Sequence, residues 1–224
     1  MSDKSSRSLI CPFCSEAVNP AYYKVLDGDW SFPNRIMYRA PDDGAVVFPG
    51  IGPLSFPYAL VVPRVHQPSL FSCSLETRES IFDCLGWAFQ LPSFRKAGGL
   101  VVFEHGGGST PSESSCQCIN HCHLHLIGRD VGEELIERFR GDKDPVLAVF
   151  SQTEMPDVSD YLLAGVFQGN IYGCLGICPQ ERSQYFRRVL ANIVGSTAYD
   201  WRQRMNPELM ERLYREAQES RPTA

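Results

Sequence analysis

Three of the five histidines in this 224-residue chain stand at alternate positions in the stretch NHCHLHL, as His121, His123 and His125. Residues two apart on a β-strand point to the same side of the sheet. We therefore predict that this stretch is a strand whose three imidazoles line one face. The apolar residues that alternate with them would face the core: Cys122, Leu124 and Leu126.

Three imidazoles on one face suit two kinds of chemistry. Neutral imidazole has a lone pair and is a frequent metal ligand, so the triplet could bind an ion. One imidazole could instead attack phosphorus while a neighbour donates a proton or hydrogen bonds to phosphate oxygens. Histidines that merely decorate an edge strand are a weaker explanation, because only two other histidines occur in the chain, His66 and His105.

The composition is that of an ordinary globular protein, with 43% hydrophobic and 21% charged residues. A formal net charge of −5 argues against binding to nucleic acid through a basic surface. No apolar run could span a membrane, and the polar start lacks the apolar core of a secretory signal. The nine cysteines are therefore expected to be metal ligands or buried thiols. We expect a cytoplasmic protein that binds neither nucleic acid nor membrane.

Hydrophobic periodicity predicts the elements that must position the histidines. Two runs rich in β-branched residues predict strands at 58–65 and 99–105. Between them, apolar residues at helical spacing and Ser74 as an N-cap predict a helix over 75–91. Further predicted elements are a helix at 131–140, a strand at 147–150, a hairpin at 161–177, and helices at 181–195 and 207–218. Without βαβ alternation, this order favours an α+β fold with a mostly antiparallel sheet and flanking helices.

The sequence HCHLHLI matches the pattern His-φ-His-φ-His-φ-φ, where φ is apolar, and so resembles the signature of the histidine triad (HIT) superfamily of nucleotide hydrolases and transferases. Other features occur in the family's order: CPFC at 11–14, LVVPRVH at 60–66, FEHG at 103–106 and Gln117. The resemblance covers about residues 11–130 and implies the HIT-like α+β fold. CPFC is similar to the CxxC of zinc-bearing members and, more distantly, of galactose-1-phosphate uridylyltransferases.

This resemblance divides the chain into three parts. Residues 1–9 are expected to be disordered, residues 10–130 to form the HIT-like catalytic domain, and residues 131–224 to be a C-terminal extension packed on the same domain. The extension is similar to the tail of larger HIT-like proteins. We expect a solvated helix face, rather than side chains that reach the pocket, for three polar residues in it: Gln184, Arg187 and Arg188.

The resemblance also implies roles for single residues. The middle histidine, His123, would attack the α-phosphorus of a nucleotide and form a nucleotidyl-histidine intermediate. A carbonyl near His121 would orient its ring, and His125 would hold a non-bridging phosphate oxygen. His105 could act as a leaving-group acid or phosphate ligand, or could only pack in its loop. Further substrate contacts are expected from Gln117, Ser114, Ser115, Gly106 and Gly107.

A structural zinc ion is a further implication of the resemblance, since a CxxC pair with two distant histidines can form a closed tetrahedral site. The family's ligand positions are occupied by Cys11, Cys14, His66 and His121. One alternative is a reduced, exposed cysteine pair with His66 at the surface. The other is a rival site that uses Cys116, Cys118 or Cys122, although the Cys-Gln-Cys spacing is closer than in usual structural sites.

Two departures from the family pattern bear on specificity. The third histidine, His125, is kept where uridylyltransferases usually have glutamine, which favours the hydrolase or phosphorylase branches. The stretch VVFPGIGP at 46–53 lacks the acid that contacts ribose hydroxyls in many members, so ribose recognition by that route is in doubt.

We therefore expect a hydrolase, phosphorylase or nucleotidyltransferase that acts on a nucleotide or nucleotide conjugate through His123. One alternative is a regulatory protein that binds a nucleotide without turnover, although a pure binder need not keep all three histidines. Another is a metal-dependent phosphohydrolase that uses the triplet as ligands. A homodimer, common in the family, is a further expectation.

Overall fold

The computed structural model describes residues 11–18, 34–107, 119–158, 160–177, 184–201 and 204–220. The segment 1–9, expected to be disordered, lies outside these residues. The described residues form eight strands: β1 (Tyr38–Arg39), β2 (Ala45–Pro49), β3 (Tyr58–Pro63), β4 (Leu100–Gly106), β5 (Leu124–Gly128), β6 (Val146–Phe150), β7 (Tyr161–Gln168) and β8 (Asn170–Ile177). They make one sheet in the order β1-β2-β3-β5-β4-β7-β8-β6, and every pairing is antiparallel. The predicted α+β class with a mostly antiparallel sheet is confirmed.

Strand β5 brings the end of the histidine stretch into the middle of the sheet, between β3 and β4. His125 pairs there with Leu60 on β3 and with Phe103 on β4. The other side of β4 pairs with β7, so the C-terminal part of the chain extends the same sheet. The division of the chain at residue 130 stays a prediction.

Helices cover both faces of this sheet: α1 (Pro12–Val18), α2 (Leu75–Gln90), α3 (Pro92–Lys96), α4 (Arg129–Lys143), α5 (Tyr185–Ile193) and α6 (Pro207–Glu219). On one face, Leu85 of α2 and Leu213 of α6 belong to a single apolar core. On the other face, Phe13 of α1, Phe139 of α4 and Phe186 of α5 belong to a second core. No helix in the described residues is long and apolar enough to cross a membrane.

The local sequence signals locate most of these elements. Ser74 caps α2 as predicted, because its side chain accepts a hydrogen bond from the Thr77 amide. The predicted hairpin is β7 and β8 with Gly169 between them, and the last predicted helix is α6. Short elements with few periodic positions were not predicted, namely β1, β2, α1 and α3.

The histidine stretch is a strand only in its second half, so the prediction of a strand over the whole triplet is wrong at its start. Strand β5 begins at Leu124, and the β3–β5 ladder ends at the pair Val61–Leu124. Continuing that register would place Pro63 opposite Cys122, and proline has no N–H to donate. The Cys122 amide donates instead to the carbonyl of Gln67, at 2.6 Å. The three alternating apolar residues are fully buried, as predicted: Cys122, Leu124 and Leu126.

Candidate active site and metal centre

Two cysteines and two histidines from three distant parts of the chain form one cluster: Cys11, Cys14, His66 and His121. One ligand atom from each lies within 4.8 Å of all the others. Cys11 Sγ lies 3.3 Å from His121 Nδ1, and Cys14 Sγ lies 3.3 Å from His66 Nδ1. Bonds of typical length in a tetrahedral thiolate–imidazole site give sulfur–nitrogen edges of about 3.5 Å. The four side chains could therefore bind one metal ion.

The protonation of the cluster also fits metal binding. His121 Nε2 lies 2.8 Å from the carbonyl oxygen of Pro63, so Nε2 carries the proton and Nδ1 offers its lone pair to the cluster. Burial lowers the pKa of His121 to about 4, which keeps this ring neutral. Burial, together with the Cys11 thiol, raises the pKa of Cys14 to about 11, so ionisation of that thiol calls for a nearby cation.

Helix α1 carries the cysteine pair to the cluster. It begins at Pro12, and proline is favoured at the first position of a helix because its missing N–H is not needed there. Its Phe13 ring lies 5.6 Å from the His121 ring and 5.3 Å from the His123 ring, between centroids. Its Glu16 forms a buried bidentate ion pair with Arg35, with both distances 2.6 Å. Pro12 within CPFC was the available signal for this helix.

One ring nitrogen of His123 donates a hydrogen bond, and the other has a lone pair that could react. Its Nδ1 lies 2.6 Å from the backbone carbonyl oxygen of His121, to which it donates its proton. The lone pair of the neutral ring is therefore on Nε2. Burial lowers the pKa of His123, which keeps that lone pair unprotonated near neutral pH. This arrangement suits a nucleophile or a base.

His125 lies on the same side of the sheet, with its ring centroid 5.1 Å from that of His123. The Phe103 ring stacks on it at 4.6 Å with an interplanar angle of 3°. The Tyr58 hydroxyl lies 2.8 Å from its Nδ1. Burial, with the positive charge of Arg187 nearby, holds the pKa of His125 well below its usual value, so this ring is neutral as well.

Helix α5 closes one side of the histidines. We call the depression between β5 and α5 the triad cleft; it is lined by His105, His123, His125, Gln184 and Arg187, among others. The prediction of a solvated helix face is wrong for Arg187, whose side chain is 4% exposed. It is also wrong for Gln184, which precedes the first turn of α5 and lines the triad cleft. The guanidinium donates to the Tyr58 hydroxyl, and a local sequence pattern shows no sign of a contact between residues so far apart in the chain.

A second pocket adjoins the triad cleft and shares His123, His125 and Arg187 with it. Most of its other lining residues are apolar: Phe13, Ile51, Leu60, Ile119 and Trp201. The stretch 46–53 thus contributes an isoleucine to this pocket and has no carboxylate.

The predicted substrate-binding residues lie mostly outside the described part of the chain, as Ser114, Ser115 and Gln117 do. Gly106 ends β4, and a Cβ there would meet the Tyr161 ring, so its lack of a side chain has a packing reason. Gly107 directly follows β4 and is buried.

Glu104 is a buried structural acceptor rather than a residue of the triad cleft. Its carboxylate accepts hydrogen bonds from the Leu70 amide, at 3.0 Å, and from the Tyr161 hydroxyl. None of the six described cysteines forms a disulfide, and four of them are buried: Cys73, Cys84, Cys122 and Cys174. Within the described residues, the Cys/His cluster is the one group of at least three such ligands.

No family sequence model matches the chain, and no curated protein matches it in sequence. Several similar solved structures carry the name of a histidine triad or HIT protein. A hypothetical histidine triad nucleotide-binding protein from Sulfolobus tokodaii is 19% identical, with a TM-score of 0.39 over 92% of this chain and 95% of its own. A HIT-like protein involved in cell-cycle regulation from Bartonella henselae is 23% identical, with a TM-score of 0.35 over 50% of this chain and 76% of its own. A HIT family hydrolase from Clostridium thermocellum is 15% identical, with a TM-score of 0.33 over 53% of this chain and 90% of its own.

Proposed function

We propose that this protein is a histidine triad enzyme that cleaves a nucleotide or nucleotide conjugate through a nucleotidyl-histidine intermediate on His123. The observation that carries the proposal is the contact of 2.6 Å between His123 Nδ1 and the His121 carbonyl. It directs the lone pair of His123 Nε2 toward the triad cleft and fixes the ring before substrate arrives. Preorganisation of this kind lowers the cost of reaching the transition state.

In the first half-reaction, the Nε2 lone pair of His123 attacks the α-phosphorus. The nitrogen–phosphorus bond forms as the bond from phosphorus to the leaving group breaks, and the leaving group departs with that electron pair. It takes a proton from solvent or from an acid in the triad cleft, a role open to His105. The nucleotide is then attached to His123.

In the second half-reaction, an acceptor oxygen attacks the same phosphorus and the nitrogen–phosphorus bond breaks. His123 recovers its lone pair, and the proton of the acceptor passes to solvent or to a base in the triad cleft. Water as acceptor gives hydrolysis, phosphate gives phosphorolysis, and another hydroxyl gives nucleotidyl transfer. The covalent route replaces one difficult displacement by two easier ones.

The metal in this proposal is zinc, held by Cys11, Cys14, His66 and His121 in a closed structural site. Two thiolates and two neutral imidazoles form a donor set that zinc prefers. Four protein ligands leave no position for water, so the ion would fix the position of His121 and would not activate a nucleophile. Among the described residues, the rings of His121, His123 and His125 do not come together as ligands of one ion. This disfavours a phosphohydrolase that uses the three histidines to bind its metal.

The substrate in this proposal is a nucleotide whose non-phosphate part lies against the apolar residues beside the triad cleft. Because the 46–53 stretch has no acid, contacts to ribose hydroxyls would have to come from elsewhere, or the substrate would differ from an ordinary ribonucleotide. A homodimer and a cytoplasmic location complete the proposal. Both edges of β4 are paired within the chain, with β5 and with β7. A dimer could therefore not form by strand pairing at β4 and would have to use other surfaces.

The test is the intact mass of the protein after a rapid quench without acid, because phosphorus–nitrogen bonds are acid-labile. Wild type and His123→Ala would be mixed with ATP, UTP, ADP-sugars, dinucleoside polyphosphates and aminoacyl-nucleotide phosphoramidates, and the products would be read in parallel. We expect a nucleotide adduct or turnover in wild type that His123→Ala abolishes. Turnover that survives in His123→Ala would contradict covalent catalysis at this residue. Nucleotide binding without adduct or turnover in wild type would favour the regulatory alternative.

A further inference from the structure

We propose that Arg187 and Tyr58 fix the ring of His125 in the tautomer that carries its proton on Nε2, and so make His125 a hydrogen-bond donor to the substrate phosphate. The catalytic consequence rests on the proposed function, whereas the tautomer itself can be measured without any substrate. Tyr58 begins β3 and Arg187 lies in the first turn of α5, so the C-terminal part of the chain would complete the site.

Arg187 is held by three hydrogen bonds. Its Nε donates to the Tyr199 carbonyl at 2.8 Å, its Nη2 to the Gly52 carbonyl at 2.8 Å, and its Nη1 to the Tyr58 hydroxyl oxygen at 3.1 Å. A guanidinium remains charged, and it has five donors and no acceptor. The Tyr58 oxygen must therefore accept in this contact.

The direction of the next hydrogen bond follows from that assignment. The Tyr58 oxygen lies 2.8 Å from His125 Nδ1. Since Arg187 donates to this oxygen, the phenolic hydrogen can point to Nδ1, and the adjacent positive charge makes the phenol a stronger donor. Nδ1 of His125 then accepts, which leaves the ring proton on Nε2.

The reverse tautomer is disfavoured on two grounds. Tyr58 would have to accept from both Arg187 and His125, which places two donors against one phenolic oxygen. Both His123 and His125 would also present a lone pair to the triad cleft, which repels an anionic phosphate. With the proposed tautomer, His123 offers a lone pair to phosphorus and His125 offers an N–H to an oxygen.

The imidazoles of His123 and His125 thus differ in role because their Nδ1 atoms contact different groups. A carbonyl behind His123 accepts and places its proton on Nδ1. A hydroxyl behind His125, itself bound by a cation, donates and places the proton on Nε2. Tyr58 and Arg187 are positioning residues in this scheme, since they act through His125.

The experiment is a long-range proton–nitrogen correlation spectrum of the protein labelled with nitrogen-15, recorded at a pH where His125 is neutral. His125→Gln assigns the signals of this residue among the five histidines. In wild type we expect a protonated nitrogen shift for Nε2 and an unprotonated shift for Nδ1. Tyr58→Phe should move the two shifts toward each other or exchange them, and Arg187→Met should do so partly. Arg187→Lys keeps a positive charge but loses the guanidinium fork, so its shifts should lie between those of wild type and Arg187→Met.

Each outcome bears on the inference. A protonated Nδ1 in wild type would overturn it, and so would an unchanged tautomer in a folded Tyr58→Phe protein. Thermal unfolding of each variant shows whether it is folded; Tyr58→Phe removes a single oxygen and provides the test if Arg187→Met fails to fold. With a reactive nucleotide, Tyr58→Phe should also lower turnover by roughly 10- to 100-fold.

The tautomer and the reaction can fail separately. The expected spectra without any nucleotide adduct or turnover would support the tautomer assignment and count against the proposed function. An adduct on His123 with the opposite tautomer on His125 would support the proposed function and contradict the tautomer assignment.

Discussion

The His121 carbonyl oxygen lies 2.6 Å from Nδ1 of His123, while the ring of His121 belongs to the Cys/His cluster. One residue therefore connects the candidate metal centre to the proposed nucleophile. Binding of the His121 ring in the cluster restrains the backbone of this residue, and with it the carbonyl that orients His123. Metal content and reactivity should be coupled, although the ion itself would take no part in the chemical step.

The first prediction concerns that coupling. Cys14→Ser should reduce bound zinc from about one ion per chain and slow formation of the His123 adduct by about ten-fold or more, because a ligand is lost and His121 is held less firmly. Metal analysis of the desalted protein and the quenched mass assay measure the two effects. Cys174→Ala is the control: it changes a buried cysteine on β8, outside the Cys/His cluster, and should retain the metal. Equal zinc in wild type and Cys14→Ser would contradict the proposed site.

The second prediction concerns the ion pair that anchors α1. Glu16 and Arg35 are each 1% exposed, so removal of one partner leaves a buried charge without its counter-ion. Arg35→Met should lower the free energy of unfolding by about 3–5 kcal/mol, measured by urea denaturation. Glu16→Gln combined with Arg35→Met should cost less than the sum of the single changes, because neither charge is then left alone.

The control for the ion pair is Glu134→Gln, which removes an exposed partner of Arg138 on α4. This change should alter the free energy of unfolding by no more than about 1 kcal/mol. If Arg35→Met were as mild as Glu134→Gln, the buried pair would have no part in holding α1 in place.

Local patterns in the sequence were sufficient to predict those features that depend on residues close together in the chain. Ser74 and the apolar spacing after it located α2, and the alternation around His125 placed Leu124 and Leu126 in the core. The cluster residues could be chosen because a family resemblance links Cys11 and Cys14 to two distant histidines. The start of β5 was misplaced because it depends on Pro63, in the neighbouring strand β3.

The contacts that tune the site could not be predicted in this way. Tyr58 and Arg187 meet only through the packing of α5 on the sheet, and neither residue carries a signal of that contact in its own neighbourhood. An amphipathic helix normally exposes its arginines on the polar face, which is why Arg187 was predicted to face solvent. Burial of that guanidinium depends on the two carbonyls of Gly52 and Tyr199.

The third prediction separates packing from substrate binding at Gly106. A Cβ at this position would meet the ring of Tyr161, whereas a Cβ at Gly141 on α4 would have no neighbour within 4 Å. Gly106→Ala should therefore lower the free energy of unfolding by about 1–3 kcal/mol through overpacking. Gly141→Ala should raise it by roughly 0.5–1 kcal/mol, because alanine is favoured in a helix. Thermal and urea denaturation compare the two; a neutral Gly106→Ala would show that the ring can move aside.

The last prediction concerns the pH dependence of stability through Glu104. Burial raises the pKa of Glu104 to about 7, against the opposing effect of hydrogen bonds from Tyr161 and Leu70. In the unfolded chain the carboxyl loses its proton near pH 4.3, on average. Between these values the folded protein holds a proton that the unfolded chain has released, so rising pH favours unfolding. The stabilising contribution is complete below about pH 4 and is lost as pH rises through about 7.

Glu104→Gln removes this titration and leaves all other groups in place. The stability of wild type relative to Glu104→Gln should fall between pH 4.5 and 8 by on the order of 3 kcal/mol at most. Taking the difference between the two proteins cancels the titration of His123 and His125, which occurs in both. Any fixed cost of replacing the carboxylate by an amide shifts the difference equally at every pH and leaves its slope unchanged. Urea denaturation at several pH values gives the slope; a relative stability that does not fall over this range would mean that Glu104 is ionised in the folded protein throughout it.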